Sequence, residues 1–137
     1  MKTIKHTRKI TRTKNYKFKL SSGLFGLPGN AASVDWAVLN DAAKAQSFKV
    51  TVYKAGVDQL KTVVAPGPLT FSLDRGKATH NANSVGINEP FVPGFYYEVV
   101  LEADSLSLMP TVSIWEDHGC KVIPGTTILP GVFVKVE

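Results

Sequence analysis

Residues 46–74 read QSFKVTVYKAGVDQLKTVVAPGPLTFSLD. Phe48, Val50 and Val52 alternate with Lys49, Thr51 and Tyr53, and Leu69, Phe71 and Leu73 alternate with Thr70, Ser72 and Asp74. A period of two turns one set of side chains toward a core and the other toward water, which is the pattern of a half-buried strand. Ala55-Gly56 and Ala65-Pro66-Gly67-Pro68 break the alternation where a chain should turn. The expectation for this stretch is a meander of three strands.

The same period recurs on both sides. Tyr16, Phe18 and Leu20 alternate with Lys17 and Lys19, and Val34, Trp36 and Val38 mark the inward face of a strand over 33–39. Between them, SSGLFGLPGNAA (21–32) is a Gly-rich loop whose Leu24, Phe25 and Leu27 are expected to cap one end of a core. The polar connection 40–45 is too short for a stable helix. Downstream, 77–86 suits a short edge strand and a loop, and FYYEVVLE (95–102) is a strand with Phe95, Tyr97, Val99 and Leu101 on one side. A loop over 103–110 should bury Leu106 and Leu108. Strands are expected over 111–116 and 132–136, with a short apolar piece at 120–123 between them.

About eight or nine short strands, separated by Gly and Pro turns and accompanied by no amphipathic helix, predict an all-β fold. The expected architecture is an antiparallel β-sandwich of immunoglobulin-like or jelly-roll type, over residues 15–137, behind a basic extended N-terminal arm at residues 1–14. The chain has 137 residues, 44% of them hydrophobic, enough for one domain with a core. No run of 18 apolar residues is present, so no membrane span is expected. The basic start lacks the apolar region of a secretory signal, which implies synthesis in the cytoplasm; a cell- or spore-surface location would then follow lysis.

The charge is unevenly placed. Residues 1–20 carry Lys2, Lys5, Arg8, Lys9, Arg12, Lys14, Lys17 and Lys19 and no acid, whereas the other 117 residues hold eight basic and eleven acidic side chains. A +8 leader on a −3 body points to an interaction segment. Thr3, Ile4, Thr7, Ile10, Thr11 and Thr13 are β-branched, so the arm favours extended structure. Its expected subunit contacts are Ile4, Arg8, Ile10, Arg12 and Lys14.

Nothing in the chain has the spacing of catalytic, metal or cofactor chemistry, so no catalytic residue, no metal ligand and no cofactor is assigned. His6, His80 and His118 do not form a pair on one element, and Cys120 is the only cysteine. A Cys120–His118 nucleophile pair lacks an orienting group and an oxyanion site. No Gly-rich phosphate loop opens a helix. Glu98 and Glu102 share one face of a strand and are expected to meet solvent.

The order AVLN, FKVTVYKAG, KTVVAPGPLTFSL resembles bacterial immunoglobulin-like sandwiches, in which a strand ending in Asn, a strand of alternating valines and a Pro-Gly turn recur. Residues 34–74 also look like the sandwich of the sensory-rhodopsin transducer family, whose members are soluble oligomeric signalling proteins. The whole chain is similar to small uncharacterised sandwich proteins of spore-forming bacteria. These resemblances imply a fold and transfer no functional residue.

Tyr53, Tyr96, Trp115 and Phe133 fall on the outward phase of their strands, which predicts an outer contact surface. The function expected is therefore that of a non-enzymatic structural protein whose partner is itself, with the arm docked on neighbouring subunits. One alternative is nucleic acid held by the arm, where eight cations would give a log–log salt slope of about −7. Against it, the arm holds only two Arg, Arg8 and Arg12, and the body offers no basic face. The other alternative is a glycan- or partner-binding module using the loops at 24–30 and 80–91.

Overall fold

The computed structural model describes residues 15–81, 94–116 and 121–136. They form ten strands in two antiparallel sheets. Sheet A orders β10 (Val134–Val136), β1 (Phe18–Ser21), β7 (Tyr96–Ala103) and β3 (Gln46–Ala55), with β4 (Thr62–Val63) and β5 (Leu69–Leu73) both on the far edge of β3. Sheet B orders β6 (Ala78–Asn81), β2 (Ala31–Asn40), β8 (Leu108–Glu116) and β9 (Lys121–Val122). Only β3–β4–β5 and β8–β9 stay within one sheet from strand to strand. Every other connection crosses between layers, which is how the two apolar faces close on each other.

The core follows the alternation. Val34, Trp36 and Val38 of β2 and Val112 of β8 meet Phe48, Val50 and Val52 of β3 and Tyr97, Val99 and Leu101 of β7. Trp36 crosses the layers edge-on to Phe71, 5.3 Å between ring centroids, and Phe71 stacks on Phe48 at 5.6 Å. Each of these buried apolar side chains contributes about 1.5–3 kcal/mol relative to exposure. Phe25 and Leu27 pack against the core from the β1–β2 loop, as expected of a cap, while Leu24 stands exposed.

Asn40, at the end of β2, is fully buried and satisfied. Its Nδ2 donates to the carbonyls of Leu73 (2.9 Å) and Lys44 (3.1 Å), and its Oδ1 accepts from the Ala42 amide (2.9 Å). Its backbone bonds to Lys77 and Gly76. One side chain thus stitches the end of sheet B to the β5–β6 turn, which gives a physical reason for Asn in the AVLN sequence.

Three expectations need correction. The stretch 46–74 is not a three-strand meander. Tyr53 faces Val63 and Lys54 faces Thr62, while Val50 faces Leu69 and Gln46 faces Leu73, so β4 and β5 are two pieces of one edge strand. The Val64 amide bonds the Val52 carbonyl, leaving residues 65–68 opposite Thr51 alone. That odd-numbered insertion moves the inward phase from Val64 to Leu69, Phe71 and Leu73. Leu106 is exposed rather than buried, because β8 begins only at Leu108, the first residue of that strand to enter the core. Phe133 points into the core rather than outward. A 3₁₀ turn at Pro130–Val132 precedes it, and Val134 and Val136 take the outer phase of β10.

Candidate interaction surface

The outer face of sheet A can be built row by row from the strand registers. One row is Val136, Lys19, Glu102, Lys49 and Thr70; the next is Val134, Ser21, Val100 and Thr51. Glu98, Tyr53 and Val63 follow, then Tyr96 and Ala55. The second row is unusual for an outward face. Ser21, Val100 and Thr51 are 4%, 1% and 2% exposed, as dry as the core. Around them Val63 (43%), Tyr96 (47%) and Val134 (60%) stand open to solvent.

Two ion pairs lie on this face. Lys49 Nζ lies 3.0 Å from Glu102, and Lys61 Nζ lies 2.8 Å from Glu98 Oε1. Lys61 also sits over the Tyr53 ring, 4.4 Å from its centroid, while Ser21 Oγ donates to Glu98 Oε2. Burial would push the Glu98 carboxyl up. The hydrogen bonds from Lys61 and Ser21 and the charges of Lys61 and Lys19 outweigh it and hold the carboxyl below its ordinary range. Glu98 is therefore tied to β1 and to the β3–β4 turn rather than simply solvated, and its side chain is only 13% exposed.

At the end of this face, Tyr96 lies over Gly26, where a Cβ would come 3.7 Å from the ring. Gly26, Leu27, Val57, Gly94, Phe95 and Tyr96 line a groove of about 300 Å³. Exposed Leu24, Val57 and Leu60 add apolar surface from the adjoining loops.

The four aromatics assigned to an outer contact surface thus separate. Tyr53 and Tyr96 lie together on sheet A, half-buried and exposed respectively. Phe133 is in the core. Trp115 belongs to sheet B, opposite Ser33 and Val122. Beside it on the same outer face is Asp35, whose carboxyl is raised by burial against the lowering influence of His80 and a Trp36 backbone hydrogen bond. His80 Nδ1 is 3.9 Å from Asp35 Oδ2, and both Asp35 Oδ1 and Trp115 Nε1 are buried without a hydrogen-bond partner among the described residues. Sequence phase could place Trp115 outward but not on a particular sheet.

Ile4, Arg8, Ile10, Arg12 and Lys14, together with His6, His118, Cys120 and most of the 80–91 loop, lie outside the described residues. Among the described residues no cluster of three or more His, Cys, Asp or Glu side chains is placed to hold a metal. No helix among them is long and apolar enough to cross a membrane.

No family model, no curated protein and no solved structure matches this chain.

Proposed function

We propose that the protein is a non-enzymatic structural component that assembles with copies of itself, using the outer face of sheet A as a contact surface and residues 1–14 as an arm that docks on neighbouring subunits. The observation that carries this reading is the dry Ser21–Val100–Thr51 row ringed by exposed Val63, Tyr96 and Val134. The face combines exposed apolar side chains and tyrosines with the ion pairs Lys49–Glu102 and Lys61–Glu98, a mixture typical of contact surfaces. The cationic leader and the net-negative remainder of the chain supply a steering attraction between copies. Removing residues 1–14 and measuring mass by light scattering tests the arm's part. A smaller assembly is expected, and an unchanged mass would overturn it.

A second reading, a module for a hydroxylated ligand such as a glycan, is favoured by the outer face of sheet B. There an acceptor (Asp35 Oδ1) and a donor (Trp115 Nε1) have no partner among the described residues and lie one register step apart. A hydroxyl can satisfy both groups, and an indole face suits a sugar ring. Glycan-array binding that disappears in Trp115→Phe supports this reading; an empty array removes it.

A further inference from the structure

The two edges of sheet A are built differently. On the β4/β5 side, Pro66 and Pro68 sit in the insertion that interrupts the edge, a common way of keeping a strand from pairing with strangers. On the other side, β10 pairs with β1 alone, and no described strand lies beyond it. The sequence from Val132 to Val136, VFVKV, has no Pro or Gly and one charge, Lys135. That lysine's ammonium is drawn to the Phe18 ring, 5.2 Å from its centroid, on the β1 side of the strand. Apart from its shortness and Lys135, the outer edge of β10 carries neither Pro nor Gly, and among the described residues no strand covers it.

The Lys17 amide donates to Asp104 Oδ1 at 3.1 Å, and Asp104 directly follows β7. In sheet A, β7 lies on the opposite side of β1 from β10. The Lys17 amide thus continues the β1–β7 ladder one residue beyond the Phe18–Ala103 pair. Residues 1–14 can extend about 46 Å, several times the length of a three-residue strand. Residues 3–13 have six β-branched positions and neither Gly nor Pro, so they meet the requirements of an added strand.

We propose that the open edge of β10 in one copy receives residues 3–13 of a second copy as an additional strand. This rests on the self-assembly reading and specifies where the arm goes. Main-chain hydrogen bonds supply the attachment, while Val134 continues the apolar outer face of sheet A toward the incoming chain.

The test mixes light and heavy-nitrogen copies of the intact chain, lets them assemble, and treats them with a short amine-reactive cross-linker. Cross-links joining Lys135 of one isotope to Lys5 or Lys9 of the other are expected. Backbone amide exchange at residues 134–136 supplies a second reading: it should accelerate about tenfold or more on dilution to protomers, while Val50 and Val99 in the sheet centre stay unchanged. If assemblies form but Lys135 never links to the arm of another copy and the 134–136 amides do not respond, the strand-addition proposal is wrong and self-assembly stands. If the intact chain does not assemble at any concentration, both fall.

Discussion

Thr51 and Val100 face each other across β3 and β7 on the outward side of sheet A, and both are sealed from solvent. Their burial is complete within the protomer, so in the proposed assembly the contact falls on the exposed ring around them, Val63, Tyr96 and Val134. Lysine placed in that ring, in Val63→Lys with Tyr96→Lys, should weaken self-association while leaving the fold intact, because both positions are exposed in the protomer. Loss of two contact side chains worth about 1–2 kcal/mol each predicts a dissociation constant raised roughly 30-fold or more. Sedimentation velocity reads the association, and an unchanged thermal midpoint at low concentration confirms the fold.

Glu98 makes the protein acid-sensitive. Its folded-state pKa lies below its ordinary value of 4.5, so its stabilising contribution is complete above about that pH and is lost as pH falls through the folded value. Glu98→Gln cannot form the charged pair with Lys61. The variant should be less stable at neutral pH and should show a shallower fall of thermal midpoint between pH 5 and about pH 2. Parallel acid-titration melts of the two proteins check it.

Asp35 has the opposite sign. Burial raises its carboxyl above the ordinary 3.8, so its contribution is most favourable below that pH and is lost as pH rises through the folded value. Asp35→Asn removes the charge and keeps the shape. It should match the parent near pH 3 and exceed it at pH 7, as read from urea midpoints at the two pH values.

The amount of the fold that could be read from sequence depended on what each residue reports locally. Val34, Trp36 and Val38, like Tyr97, Val99 and Leu101, announce an inward face through period two alone, and all six are buried there. The AP-G-P break at 65–68 announces an interruption but not its kind. Whether the chain reverses or merely bulges was decided by the register of β4 and β5 on β3, a pairing between distant residues. Phe133 was misassigned because Val132, Val134 and Val136 look like the apolar phase. On an edge strand beside a 3₁₀ turn, the large aromatic takes the core and the valines take the outside. Tyr53 and Tyr96 were legible as outward, whereas the unpartnered Asp35 and Trp115 atoms were not, since no sequence signal records an unmet hydrogen bond.

Asn40 provides a check on the architecture. Asn40→Ala deletes the bonds to Leu73, Lys44 and the Ala42 amide in a fully buried position. The loss should be roughly 3 kcal/mol, with buried backbone groups left unpaired. Chemical denaturation measures it, and a change below about 1 kcal/mol would contradict the link between β2 and the β5–β6 turn.

The mass of the intact chain in solution is the most direct test of the account. Sedimentation equilibrium at micromolar concentration should return a multiple of the 14.9 kDa protomer. A single species at 14.9 kDa across the accessible concentration range would contradict self-assembly.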